Sequence, residues 1–343
     1  NRLAPKAYFR GLNFLLNEQQ DQAIDAFIEA VRNDPDTSEL HFALGNLFRR
    51  RGEYERAVRV HEHLLSRGDL SRAERHRAQH ALALDFLKAG LLDRAEEALR
   101  KLEGSAYEAQ ALLGLLSTYE RSRAWARAAD IASRLEASGQ GSFAGRRAHY
   151  LCEQAALADA PRAEQLLREA MDVSPGAPRP ALELAALQRQ AGDARAAFDT
   201  LVRLAQSAPA TVALLARPFA QYAAACGMEA RALEILEASY AVSSSLDVLE
   251  AIASLQPADE ARQWYARHLE REPSLVAAAK WLAGERLEHE QFHPRVQRAL
   301  EHAAKPLVRY RCAACGFEAK QHFWQCPGCQ AWDSYPPRRV EEL

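Results

Sequence analysis

The sequence predicts an all-α chain: a solenoid of about eight helical hairpins followed by a small C-terminal metal-binding module. Three observations predict it. Only 16 Gly and 15 Pro punctuate 343 residues that are otherwise rich in Ala, Leu, Glu and Arg, a composition that favours helix over strand. One residue pattern returns roughly every 34 residues along most of the chain. Four of the six cysteines crowd into the C-terminal tail as two C-x-x-C pairs. With 48% hydrophobic and 26% charged residues the chain is not disordered. A formal charge of -2 excludes binding of nucleic acid through a general electrostatic field.

The returning pattern is an alanine with a large apolar residue four positions later: Ala23/Phe27, Ala95/Leu99, Ala163/Leu167, Ala197/Leu201, Ala232/Leu236 and Ala261/Tyr265. With Ala57 and Ala128 added, the steps are 34, 38, 33, 35, 34, 35 and 29 residues. Other positions keep the same register. Gly11 and Gly45 each stand twelve residues before a marker alanine, where a small residue lets two helices approach closely. Gly52, Gly90 and Gly192 each stand five before one, where the chain turns between helices and needs φ > 0. Pro35, Pro175, Pro209 and Pro273 each stand twelve after one, where the second helix must stop. In these features the chain resembles the tetratricopeptide repeat (TPR) family over about residues 4–274, in eight units.

That resemblance implies hairpins stacked into a superhelix, because one unit alone cannot bury its apolar face. The 38-residue step places an insertion around 68–74, and the 29-residue step implies shortened helices near 243–257. Two further helices, 275–290 and 295–304, are expected to cap the array. The expected organisation is a solenoid over 1–274, capping helices over 275–305 and the metal module over 306–337. On TPR geometry the first helices line the concave side, where the first two units place Tyr8, Leu12, Leu15, Phe42, Asn46, Arg49 and Arg50. Tyr8, Phe42, Asn46, Arg49 and Arg50 are the candidate partner contacts, since guanidinium forks suit carboxylate partners.

In the C-terminal module Cys312 and Cys315 form one pair and Cys326 and Cys329 the other, with ten residues between them. Each C-x-x-C makes a tight knuckle, with Gly316 and Gly328 expected to relax the turns. Two facing knuckles give a tetrahedral tetrathiolate site for one Fe or Zn ion. Four protein ligands leave no position for water, so the metal supports structure and does not catalyse. A module of about 30 residues builds too little core by itself, and the metal supplies much of its folding free energy. Tyr310, Phe317, Phe323, Trp324, Trp332 and Tyr335 are expected to pack partly inward and partly on the solenoid. The pattern Tyr310-x-Cys312-x-x-Cys315-Gly316-Phe317, then Trp324-x-Cys326-Pro327-x-Cys329, resembles rubredoxin with a much shorter middle segment. A rubredoxin-like or zinc-ribbon knuckle used for structure or protein binding fits that shortening.

A TPR array joined to such a knuckle is a narrow combination. Together with GLNFLLNEQQDQAIDAF (11–27), LHFALGNLFRRRGEYERAVRVHE (40–62), YRCAACGF (310–317) and WQCPGCQAW (324–332), it resembles the lipopolysaccharide assembly protein B (LapB, YciM) family over essentially the whole chain. The resemblance implies a non-enzymatic adaptor of the bacterial inner membrane, held by one N-terminal helix, with this domain on the cytoplasmic side. It implies that the adaptor promotes degradation of the deacetylase LpxC by the membrane protease FtsH and is countered by PbgA (YejM, LapC). No run here approaches the roughly 18–20 apolar residues of a membrane span. The chain starts at Asn1, not Met, and the anchoring helix is expected to precede it.

Two other function classes are set against this reading. His289-Glu290-Gln291-Phe292-His293 spells the H-E-x-x-H of a metallopeptidase. Pro294 pushes His293 out of the helical region, and no third ligand follows at the required spacing. Zinc ribbons also bind nucleic acid, but the basic and acidic residues of this module nearly balance once a metal sits on four thiolates, so no nucleic acid is expected. His76 and His80 read as a surface pair, and Cys152 and Cys226 as small buried apolar residues.

Overall fold

The computed structural model describes residues 3–17, 19–34, 36–284, 291 and 293–343. Among these the chain forms eighteen α-helices and one two-stranded antiparallel sheet, divided between two compact units, 1–143 and 144–343. The first unit holds four hairpins: α1 (Leu3–Leu16) with α2 (Gln20–Asn33), α3 (Ser38–Arg50) with α4 (Tyr54–Ser66), α5 (Arg72–Ala89) with α6 (Leu92–Arg100), and α7 (Glu108–Arg121) with α8 (Trp125–Ala137). The second holds α9 (Ala144–Ala155) with α10 (Ala160–Val173), α11 (Pro178–Gln190) with α12 (Ala194–Ser207), α13 (Val212–Cys226) with α14 (Glu229–Val242), and α15 (Leu246–Ser254) with α16 (Ala258–Arg271). After these come α17 (Leu275–Ala283), α18 (His293–Ala304) and the strands β1 (Tyr310–Arg311) and β2 (Glu318–Ala319).

Every marker alanine lies in the second helix of a hairpin. The seven from Ala23 to Ala232 are buried, and Ala261 is half-buried. A Cβ on Gly11 would stand 2.7 Å from the Phe27 ring, and one on Gly45 would stand 2.5 Å from His61. These two glycines are therefore fixed by helix contact. The turn glycines answer a different demand: Gly52, Gly90 and Gly192 have φ of 79°, 77° and 89°, as the C-terminal turn of a first helix requires. Gly227 takes the same conformation in the seventh hairpin, and in the fourth the position is held by Arg123, at φ 56°.

The residue before the marker also recurs. Arg56, Arg94 and Arg127 lay their guanidinium groups over Phe48, Phe86 and Tyr119, at 4.0, 4.2 and 4.6 Å from the ring centres. Each arginine thereby covers the outer face of a first-helix aromatic and ties the two helices of its hairpin together.

The extra residues of the long step go into the 67–71 connection and an 18-residue α5, which starts in a capping box between Ser71 and Glu74. The short step is a nine-residue α15. Pro175, Pro209 and Pro273 fall just past α10, α12 and α16, while Pro35 lies outside the described residues. The first capping helix is described to Ala283, with 285–290 outside the described residues, and the second starts at His293. Val276, Ala277 and Ala304 from these helices join the core of the second unit, in which Phe198 stacks on Phe219 at 4.9 Å. Among the described residues no helix is long and apolar enough to cross a membrane.

Candidate metal centre

The two C-x-x-C segments fold as matching turns. In the first, the Gly316 N–H donates to the Cys312 carbonyl at 2.9 Å and the Cys312 N–H to Phe317 at 2.9 Å. In the second, the Gln330 N–H donates to Cys326 and the Cys326 N–H to Ala331, both at 2.9 Å. The residue after each second cysteine takes a left-handed conformation, Gly316 at φ 78° and Gln330 at φ 63°. This corrects the expectation for Gly328, which has no positive φ and instead gives room to the Phe317 side chain, 3.4 Å from where its Cβ would be.

These turns bring the four Sγ atoms within 4.8 Å of one another. Cys312 and Cys329 are 3.8 Å apart, and Cys315 and Cys326 are 3.7 Å apart. A tetrahedron with metal–sulfur bonds of about 2.3 Å has edges of about 3.8 Å, so the cradle fits one thiolate-ligated ion such as Zn or Fe. Ser334 Oγ, 3.2 Å from Cys312 Sγ, and the backbone N–H groups of Cys315 and Ala314 hold the Cys312 thiol well below its usual range, which favours the ligating thiolate. Cys312 and Cys326 are buried, packed with Tyr335, Tyr310 and Phe323, while Cys315 and Cys329 face outward.

Phe317 is exposed, while the two tryptophans reach the helices of the same unit. Trp332 stacks on the buried His149 of α9 and meets Tyr150 edge-on, with Trp324 also beside His149. His149 Nε2 bonds Asp333 at 2.8 Å. Behind it, Arg179 of α11 donates to Glu183 at 2.6 Å and to Glu153 at 2.8 Å, so the buried guanidinium is fully paired.

The tail after the knuckles forms a second clamp. Arg339, 8% exposed, donates to Asp247 at 2.6 Å and to Glu250 at 2.8 Å on α15, where the Tyr310 hydroxyl also donates to Asp247. Glu342 accepts the first N–H of α15, from Leu246, at 2.9 Å. Glu341 accepts from Leu275 N at 2.6 Å and from Ser274 Oγ at 2.7 Å, at the start of α17. Two adjacent carboxylates thus satisfy the open N–H groups of two helices and sit at their positive ends. None of His149, Asp247, Arg339, Glu341 or Glu342 stood out as an anchor in the sequence, because each is an ordinary charged or polar residue whose partner lies far away in the chain.

The candidate partner contacts divide. Phe42 is 1% exposed and packs with Leu64, Leu70 and Ala78, so it is a core side chain and not a surface one. Tyr8 is half-buried, edge-on to Phe27, while Leu12 and Leu15 are half-buried beside it. Asn46 and Arg49 are half-buried and bonded to each other, and Arg50 is exposed. Of the peptidase motif, His289 and Glu290 lie outside the described residues, and His293 bonds the Leu282 carbonyl through Nε2 at 3.0 Å. Cys152 is fully buried and burial pushes its thiol pKa up, whereas Cys226 is only half-buried.

Residues 310–336 match the family model described as the rubredoxin metal binding domain, and residues 10–60 and 80–143 match the tetratricopeptide repeat. The chain is 31% identical to lipopolysaccharide assembly protein B of Escherichia coli strain K12, over 99% of this chain and 90% of that protein. It is 26% identical to the protein of the same name from Haemophilus influenzae, over 100% of this chain and 91% of that one. A crystal structure of a tetratricopeptide repeat protein from Parabacteroides merdae aligns with 74% of this chain and 99% of its own, at 15% identity and a TM-score of 0.40.

Proposed function

Because the chain belongs to the lipopolysaccharide assembly protein B family, we propose that it is a non-catalytic protein-binding scaffold that regulates lipopolysaccharide synthesis at the bacterial inner membrane. In this reading it brings the deacetylase LpxC to the membrane protease FtsH for degradation, and PbgA (YejM, LapC) opposes it. A single membrane helix outside this sequence holds it at the cytoplasmic face. Tethering of this kind raises effective concentration, so that individually weak contacts suffice.

The observation that carries the reading is what the cysteine module is attached to. Its aromatics and its tail grip α9, α15 and α17, and its four cysteine sulfurs would give one ion a complete tetrahedral set of protein ligands. A bound Zn or Fe ion supplies four strong bonds that fix the two knuckles, with no open position for a substrate. Trp332 and Asp333 then hold α9, while Arg339, Glu341 and Glu342 hold α15 and α17, and the helical surfaces around them are kept rigid for partners. Tyr8, Asn46, Arg49 and Arg50 are the contacts proposed in the first unit.

The test is a pull-down from membranes with the full-length anchored protein, comparing the intact chain with Cys312→Ser/Cys315→Ser. Recovery of FtsH and LpxC by the intact chain, with loss in the variant, is expected. Failure of the intact chain to recover either would overturn the reading.

A further inference from the structure

The first unit departs from its own repeat at a buried His–Asp pair. Four residues after the marker alanine, α2, α6 and α8 carry Phe27, Leu99 and Ala132, whereas α4 carries His61. His61 has no exposed surface, and its Nδ1 lies 2.5 Å from Oδ2 of Asp85 on α5, which is also fully buried. Asp85 stands ten residues before Ala95, a position that Leu47 and Thr118 fill in the neighbouring units. Taking both side chains out of water carries a desolvation cost that apolar residues of similar volume avoid. A chain that breaks its own packing rule in this way is serving something besides packing.

The other end of the pair reaches the surface. Arg49 Nη1 donates to Asp85 Oδ1 at 2.9 Å and to the Ala81 carbonyl at 3.2 Å, and Nη2 donates to Asn46 Oδ1 at 2.6 Å. The Arg49 side chain keeps 18% of its surface exposed. Of the hydrogen bonds among the described residues, none uses Arg49 Nε or the Asn46 amide nitrogen, so both retain donors. Asn46, Arg49 and Arg50 share one face of α3, and exposed Lys88 follows Asp85 by one turn on α5. The two helices run side by side, joined at their other ends by Ser38–Glu74 and Glu39–Arg77. At the Arg49 end the face offers cations and unused donors, and the Asp85 carboxylate is buried beneath them.

We propose that this face between α3 and α5 receives acidic side chains of a protein partner, with Arg49 as the contact and His61 and Asp85 as positioning residues that hold its fork in place. The proposal rests on the scaffold reading and names the partner chemistry of one of its surfaces. A guanidinium pinned on one side by a buried carboxylate has lost its rotamer freedom in advance, and its free edge meets a second carboxylate in a set geometry.

The test screens the full chain against a library of C-terminally amidated dodecapeptides, which removes the terminal carboxylate as a ligand. Binders carrying Asp or Glu are expected, with about tenfold weaker binding when those residues are amidated to Asn or Gln. Arg49→Ala and Arg49→Lys should both lose about tenfold, because lysine keeps the charge without the fork. The double variant His61→Leu/Asp85→Leu follows the residues of the neighbouring units. It should keep or raise the thermal midpoint while losing about tenfold in peptide affinity. If it does not fold, Asp85→Asn carries the same affinity reading. Binders without acidic residues, binders indifferent to Arg49→Ala, or positioning variants with unchanged affinity would overturn the proposal. Normal acidic-peptide binding by a chain that fails to recover FtsH and LpxC from membranes would instead sink the scaffold reading and leave this site standing.

Discussion

Trp332 lies flat on His149, with ring centres 4.7 Å apart and planes inclined by 23°, and the neighbouring Asp333 accepts a hydrogen bond from His149 Nε2 at 2.8 Å. The other imidazole nitrogen, Nδ1, is 3.5 Å from the Arg179 guanidinium, which can only donate. The ring is thereby held as the Nε2–H tautomer, with one face covered by indole.

His149→Ala removes the stack and the hydrogen bond to Asp333, while Arg179 keeps Glu183 and Glu153. The expected cost is about 1–3 kcal/mol, from a lost aromatic pair and a lost charge-assisted hydrogen bond. Hydrogen exchange over 320–335 should rise while α1–α8 keep their protection. Unchanged exchange in that segment would show that the stack does not hold the module.

Arg123 adopts a left-handed turn conformation that Gly52, Gly90, Gly192 and Gly227 adopt in other hairpins. A side chain there strains the backbone, partly offset by the smaller entropy lost on folding. Arg123→Gly is expected to stabilise by about 0.5–1 kcal/mol, and Gly90→Ala to destabilise by about 1 kcal/mol. Chemical denaturation checks both, and a destabilised Arg123→Gly would mean that the arginine side chain contributes more than its strain costs.

Glu74 accepts hydrogen bonds from the Ser38 hydroxyl, at 2.7 Å, and from the Ser71 hydroxyl and N–H, which lower its pKa from the ordinary 4.5 to about 2. A carboxyl depressed in the folded state contributes stability above its unfolded pKa and loses it as pH falls through the folded one. Glu74→Gln should therefore lower the unfolding midpoint at pH 6, and the difference from the parent should vanish near pH 2. A difference that persists at pH 2 would assign the effect to something other than this charge.

The repeat was legible because its signals are local and concern one register: a buried alanine, a glycine under a neighbouring ring, a glycine in a turn. The four cysteines were legible for the same reason, since sulfur chemistry and knuckle spacing leave few alternatives. What the sequence hid depends on distant partners. Arg339 meets Asp247 across 92 residues, and nothing near either one marks the pair. Phe42 was placed on the groove by repeat geometry, but its ring turns into the core against Leu64 and is covered by the Arg77 guanidinium at 4.1 Å. Gln330 takes the left-handed turn position although it carries a Cβ, so nothing in its residue type marks the turn and composition points to Gly328 instead.

Hydrogen exchange of the full chain, with its metal content measured before and after chelation, decides whether one ion clamps the C-terminal tail to the helices. One Zn or Fe ion per chain is expected and, on its removal, loss of protection over 310–343 and in the first turns of α15 and α17. A chain that carries no metal as isolated, or that keeps that protection after the metal is stripped, would contradict it.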